Sequence, residues 1–78
     1  MRVTVHYFAV LRERVGQCEQ SIELTAEVSV GALYEKIFPA GADGMLPVMF
    51  AVNQQYVDSG HTLEDGDEVA FIPPLGGG

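Results

Sequence analysis

Cysteine is nearly missing from this 78-residue chain. A single thiol, Cys18, cannot close an internal disulfide, complete a four-thiolate zinc site or hold an iron–sulfur cluster, so small size is not offset by staples. Basic residues are scarce as well: four Lys and Arg stand against eleven Asp and Glu, a formal net charge of -7. Phosphate backbones are bound by clustered Lys and Arg, and their scarcity argues against a nucleic-acid partner. No basic residue follows Lys36, whereas Asp43, Asp58, Glu64, Asp65, Asp67 and Glu68 all do, so the second half should steer toward a basic surface. Apolar runs fall far short of the ~20 residues a membrane span needs, and the opening Met-Arg-Val-Thr-Val alternates at once instead of leading into an apolar signal core. No membrane partner is expected, and the cytoplasm is the expected location. His6 and His61 lack a third partner at ligand spacing, and Asp65, Asp67 and Glu68 lack the pattern of a calcium loop, so no metal site is expected.

What is present suits one small domain. Residues 2 to 8 alternate, with Val3, Val5 and Tyr7 on one face and Arg2, Thr4, His6 and Phe8 on the other, which predicts a half-buried strand. Ala9 to Val15 can form a short helix presenting Leu11 and Val15, with Gly16 placed to end it. A second alternation over 20–25 puts Ile22 and Leu24 inward. Ser29 is a good N-cap for a helix reaching Phe38, with Val28 able to staple onto Leu33, and Val30, Leu33, Tyr34, Ile37 and Phe38 follow the spacing of one apolar face. Pro39 stops that helix and opens a loop through Gly44. Val48 to Val52 reads as a third strand, Asn53-Gln54-Gln55 as a turn, Tyr56-Val57 as a short return, and Asp65-Gly66 as the turn into a last strand, Glu68 to Ile72. This order predicts an α+β fold, a mixed sheet with one main helix packed on one face, for which a β-grasp is the natural candidate. It makes 1–72 the globular domain and 73–78 an extended tail.

The tail is the chemically unusual segment. Pro73 and Pro74 cannot continue a sheet and favour an extended polyproline conformation, and six such residues at ~3.1 Å each reach roughly 19 Å. Gly76, Gly77 and Gly78 have no side chain to bury but let a backbone pass a narrow channel, and the reactive group there is the Gly78 carboxylate. A merely frayed glycine-rich end is the plain alternative. Strand parity adds a docking argument: with Val69 and Phe71 inward, Ile72 faces outward with Ala70, as Phe8 does with His6. In a β-grasp the first and last strands are parallel neighbours, so Phe8 and Ile72 would lie side by side at the root of the tail as a partner surface, unless they are ordinary residues at the edge of the core. Cys18, with no basic residue close in sequence, reads as an ordinary thiol between helix and strand.

The run from Asp65 through Gly78, with Ala51-Val52-Asn53-Gln54 upstream and Phe8-Ala9-Val10-Leu11-Arg12-Glu13 near the start, resembles the MoaD family of sulfur carriers, the small subunits of molybdopterin synthase. That resemblance implies a ubiquitin-like β-grasp whose terminal glycine, Gly78, is adenylated at the expense of ATP, converted to a thiocarboxylate, and used to give sulfur to a cyclic pyranopterin precursor, forming the dithiolene of molybdopterin. It implies a large synthase subunit (MoaE-like), an ATP-dependent adenylating enzyme (MoeB-like) and a sulfurtransferase or cysteine desulfurase as partners. No cofactor would be held permanently, ATP being used by the activating enzyme, and catalytic residues would belong to the large subunit. It adds Tyr56 to a partner surface comprising Phe8, Ile72, Pro73, Pro74, Leu75, Gly76 and Gly77, although Phe71-Ile72 departs from the commoner aromatic pair before Pro-Pro. A thiamine-pathway sulfur carrier and a ubiquitin-like protein modifier are the rival readings.

Overall fold

The computed structural model describes residues 1–39 and 48–73. Along the chain run β1 (Arg2–Tyr7), α1 (Ala9–Val15), β2 (Glu19–Glu23), α2 (Val30–Ile37), β3 (Met49–Val52), β4 (Gln55–Val57) and β5 (Glu68–Ile72). The five strands form one sheet in the order β2-β1-β5-β3-β4. β1 and β5 run parallel at its centre, and the other pairs are antiparallel. A central parallel pair, hairpins outside it and a helix across one face make a ubiquitin-like β-grasp.

Alternation decides which face is covered. Val3, Val5 and Tyr7 of β1 and Val69 and Phe71 of β5 are each at most 1% exposed and lie beneath α2, which contributes Val30, Leu33 and Tyr34. Leu11 from α1, Leu24 after β2, Val52 and Leu63 complete this core. Aromatic rings gather where β1 and β5 end: Tyr34 meets Phe71 edge-on at 5.0 Å and Phe50 at 5.8 Å, and Tyr7 meets Phe38 at 6.1 Å. Edge-to-face pairs add about 0.5–1.5 kcal/mol each beyond their buried area, so this end of the sheet is held firmly.

The helix termini follow their sequence signals. Ser29 Oγ accepts from the Ala32 N–H at 3.1 Å, capping α2, and Gly16, at φ 85°, ends α1 with its N–H on the Arg12 carbonyl. At Gly31 the reason is approach: an added Cβ would stand 2.8 Å from Ser59 Cβ and 2.9 Å from its carbonyl oxygen. The Gly31 and Val30 N–H groups donate to the carbonyls of Ser59 and His61, and Leu63 donates to Val28, so the segment before Leu63 is laced to the start of α2.

Five boundaries differ from the sequence reading, two of them by one residue: β3 starts at Met49 and not Val48, and α2 ends at Ile37 with Phe38 as its C-cap. Phe8 leaves β1, although its backbone stays extended, because Ala9 turns the chain with a φ of 50°. β2 begins at Glu19 and stops at Glu23, yet Leu24 keeps its inward position. Gln55 belongs to β4 because the turn needs two residues, Asn53 and Gln54, both at positive φ, with Val52 and Gln55 as the closing pair. The loop expected from Pro39 to Gly44 lies, beyond Pro39, outside the described residues.

Candidate functional site

The sheet face opposite α2 carries the candidate site. Register aligns its side chains in rows across the strands. One row runs from Glu19 through His6, Ala70 and Ala51 to Tyr56. The next, toward the end of β5, contains Ile72 and its partner Met49, and the β1–β5 register, which reaches Tyr7 and Phe71, brings the extended Phe8 level with Ile72. Phe8, Met49 and Tyr56 are 47, 53 and 68% exposed, Ile72 is half-buried, and no described element covers them. An apolar surface at the point where the chain leaves the sheet has the form of a protein-docking patch.

Polar groups frame the patch. His6 Nε2 lies 3.1 Å from Glu68 Oε1, and its Nδ1 is 4.0 Å from Glu19 Oε1. At the far end of β1 the Met1 ammonium and the Arg2 guanidinium both reach Glu23, holding its carboxyl below the usual range by hydrogen bonding and charge. The acidic run before β5 is occupied structurally. Asp65 accepts from the Arg2 N–H at 2.7 Å, and Asp67 accepts from the Glu64 N–H at 2.8 Å and from the Asn53 amide at 3.0 Å. Asn53 Oδ1 in turn accepts from the Glu68 N–H. Two of the three sequence runs that carried the family resemblance, around Asn53 and Asp65–Glu68, thus meet as one hydrogen-bonded corner that sets the start of β5.

Of the residues expected at the site, Phe8, Tyr56 and Ile72 are brought to this bare face, with Tyr56 one row away from the other two. Pro73 is buried, whereas the sequence reading places it in a tail directed away from the domain. Pro74, Leu75, Gly76, Gly77 and Gly78 lie outside the described residues. Met49 was missed. The same parity argument applied to β3, where Phe50 and Val52 point inward, would have found it. Among the described residues no group of three or more His, Cys, Asp or Glu could hold a metal, and no helix is long and apolar enough to cross a membrane. Cys18 is exposed, between α1 and β2.

Comparison with known proteins bears on this geometry. The model of the ThiS family matches residues 5–78. The molybdopterin synthase sulfur carrier subunit of Chlamydomonas reinhardtii is 43% identical over 83 aligned residues, covering all of both chains. Among solved structures, the small archaeal modifier protein 1 of Haloferax volcanii superposes with a TM-score of 0.76 at 26% identity, covering 95% of this chain and 98% of that one. A subunit from the complex of subunits 1 and 2 of the Helicobacter pylori molybdopterin-converting factor shares the fold, with a TM-score of 0.66 at 21% identity and full coverage of both chains. The chain belongs to the ThiS family, and its curated relatives from alga to bacterium are molybdopterin synthase sulfur carrier subunits.

Proposed function

We propose that this chain carries sulfur on the carboxyl group of Gly78 and delivers it as the small subunit of a molybdopterin synthase. The observation that carries the reading is the exposed apolar row of Phe8, Ile72 and Met49 beside the exit of β5, in a chain matched end to end by a sulfur carrier subunit. A donor that works through its terminus needs a rigid body, a surface to dock and a reach of chain beyond that surface. The firmly packed end of the sheet serves the first need and the bare face the second.

The chemistry assigned to Gly78 has two steps. The carboxylate attacks the α-phosphorus of ATP on an adenylating enzyme, giving an acyl adenylate and releasing pyrophosphate. A hydrosulfide-level sulfur nucleophile then attacks the acyl carbon, AMP leaves with the electron pair of the broken C–O bond, and the S–H proton passes to solvent, leaving a thiocarboxylate. Activation is required because a carboxylate is a resonance-stabilised anion that resists nucleophiles, whereas AMP is a good leaving group. The thiocarboxylate sulfur, soft and ionised, then forms a C–S bond to the pterin precursor as an oxygen leaving group departs with its electron pair, and water cleaves the acyl–sulfur bond, leaving sulfur on the pterin and restoring the Gly78 carboxylate. Docking on the large subunit, the kind of partner present in the Helicobacter pylori complex, would present this sulfur to that subunit's active site.

Intact-mass measurement tests the scheme. After incubation with the adenylating enzyme, ATP and a sulfur donor, the chain should gain the mass of one oxygen-for-sulfur exchange, and a variant lacking Gly78 should gain nothing while keeping its fold. High-mass conjugates to lysines in place of that exchange would favour a protein modifier, and an unchanged mass would remove the carrier reading.

A further inference from the structure

The centre of the bare face holds a hole that the docking row does not explain. Ala51 and Ala70 are partners across β3 and β5, and where larger side chains would fill the face these two leave a concavity of about 250 Å³, lined by His6, Phe8, Ala51, Gln54, Glu68 and Ala70. That is smaller than the ~300–1,000 Å³ of a typical small-molecule site and suits a single long side chain. To this lining Ala51 and Ala70 bring methyl side chains, Phe8 an aromatic ring, His6 an imidazole, and Gln54 and Glu68 an amide and a carboxylate.

Charge decides what enters. The Glu68 side chain is 66% exposed and has one oxygen on His6 Nε2, while Glu19 stands on the other side of the same imidazole. Arg2, the arginine of this face, lies at the opposite end of β1 with its guanidinium on Glu23. An anion would meet carboxylates here, and a cation would meet a counter-charge. The apolar lining calls for a long aliphatic stem, the Phe8 ring for a flat cation, and the Glu68 carboxylate with the Gln54 carbonyl for a donor that can fork between two acceptors. A guanidinium meets all three requirements best, because it is planar, forks between two acceptors in a fixed geometry and sheds water more readily than the compact, strongly hydrated ammonium.

The geometry points to a socket for one arginine side chain of the partner protein, with Phe8, Ala51 and Ala70 as its apolar lining and Glu68 as its counter-charge. This inference rests on the proposed docking of the bare face to the large synthase subunit, and the test separates the two. Binding of the full chain to the large subunit of the same organism is measured by calorimetry, with far-UV circular dichroism confirming that each variant is folded. Met49→Asp, outside the socket, probes the docking face. Glu68→Gln and Ala70→Leu probe the socket, removing its charge and reducing its volume.

Each socket variant is expected to weaken binding about tenfold to a hundredfold. An arginine-to-alanine scan of the large subunit should find one arginine whose loss weakens binding to the wild-type chain by a similar factor and adds nothing further in the Glu68→Gln background. Wild-type affinity for Glu68→Gln and Ala70→Leu, with binding lost in Met49→Asp, would overturn the socket and leave the docking face standing. Coupling of Glu68 to a lysine, or to no partner cation, would overturn the arginine assignment. Unchanged binding in Met49→Asp would overturn the docking reading itself.

Discussion

Tyr7 shows how one side chain ties the sheet together and makes stability depend on pH. It is 1% exposed, and its hydroxyl donates to Gln20 Oε1 at 2.9 Å across the β1–β2 pair. Burial raises its pKa above that of a free phenol, and burial raises that of Tyr34 in the same core. For a group whose folded pKa is raised, the stabilising contribution is whole below the unfolded value near 10 and is lost as pH climbs through the folded value, because the unfolded chain releases its proton first. Urea unfolding should therefore show a falling midpoint above about pH 10. Tyr7→Phe should cost about 1 kcal/mol at neutral pH through the lost hydrogen bond and fall less steeply in alkali. Glu23 has the opposite sign. Its carboxyl is held low by the Met1 ammonium and Arg2, so its contribution is present above the ordinary carboxylate range and lost as pH drops through the depressed folded value. Glu23→Gln should be the less stable chain at neutral pH, and the gap to wild type should close in acid.

At the scale of elements, backbone conformation sets the most testable costs. The β3–β4 hairpin closes through Asn53 and Gln54 at φ 51° and 69°. Asparagine suits this region, and its side chain is also used, bonding Asp67 and the Glu68 N–H. Glutamine does not suit it. Gln54→Gly should stabilise the chain by about 0.5–1 kcal/mol, a rise of a few degrees in Tm by calorimetry. Gly31→Ala should act the other way, by about 1–3 kcal/mol, because the new methyl meets the Ser59 backbone and not a movable side-chain end. These elements also show what could be read beforehand. Alternation in β1 and β5, the Ser29 cap and the Gly16 stop were legible because each is a local rule with a strong periodic or conformational signal. The turn was placed but taken one residue too long, since Gln54 hides a positive φ behind a residue type that rarely has one. The socket was illegible because Ala51 and Ala70 matter through the volume they do not fill, and a small residue in a strand carries no sign of its neighbours.

For the molecule as a whole, charge is arranged to act at a distance. Arg2, Arg12, Arg14 and Lys36 all lie in the first half, with Arg2 held by Glu23, while Glu68 and Glu19 face outward beside the apolar rows. The bare face therefore approaches any partner with a negative rim around an apolar centre. Rim charges act on the rate of encounter more than on the lifetime of the complex, because once the surfaces meet, apolar contact and close packing hold them. At ~0.15 M ionic strength the screening length is about 8 Å, comparable to the spacing of two sheet rows, so steering should fade through the ordinary laboratory range of salt. Stopped-flow association with the large synthase subunit should accordingly slow by about tenfold or more between low salt and ~0.5 M, with the dissociation rate changing far less. Glu19→Gln, which removes a rim charge outside the socket, should flatten this salt dependence while leaving dissociation close to wild type. Association that ignores salt, or a salt effect carried by dissociation, would show that the -7 charge serves solubility and not recognition.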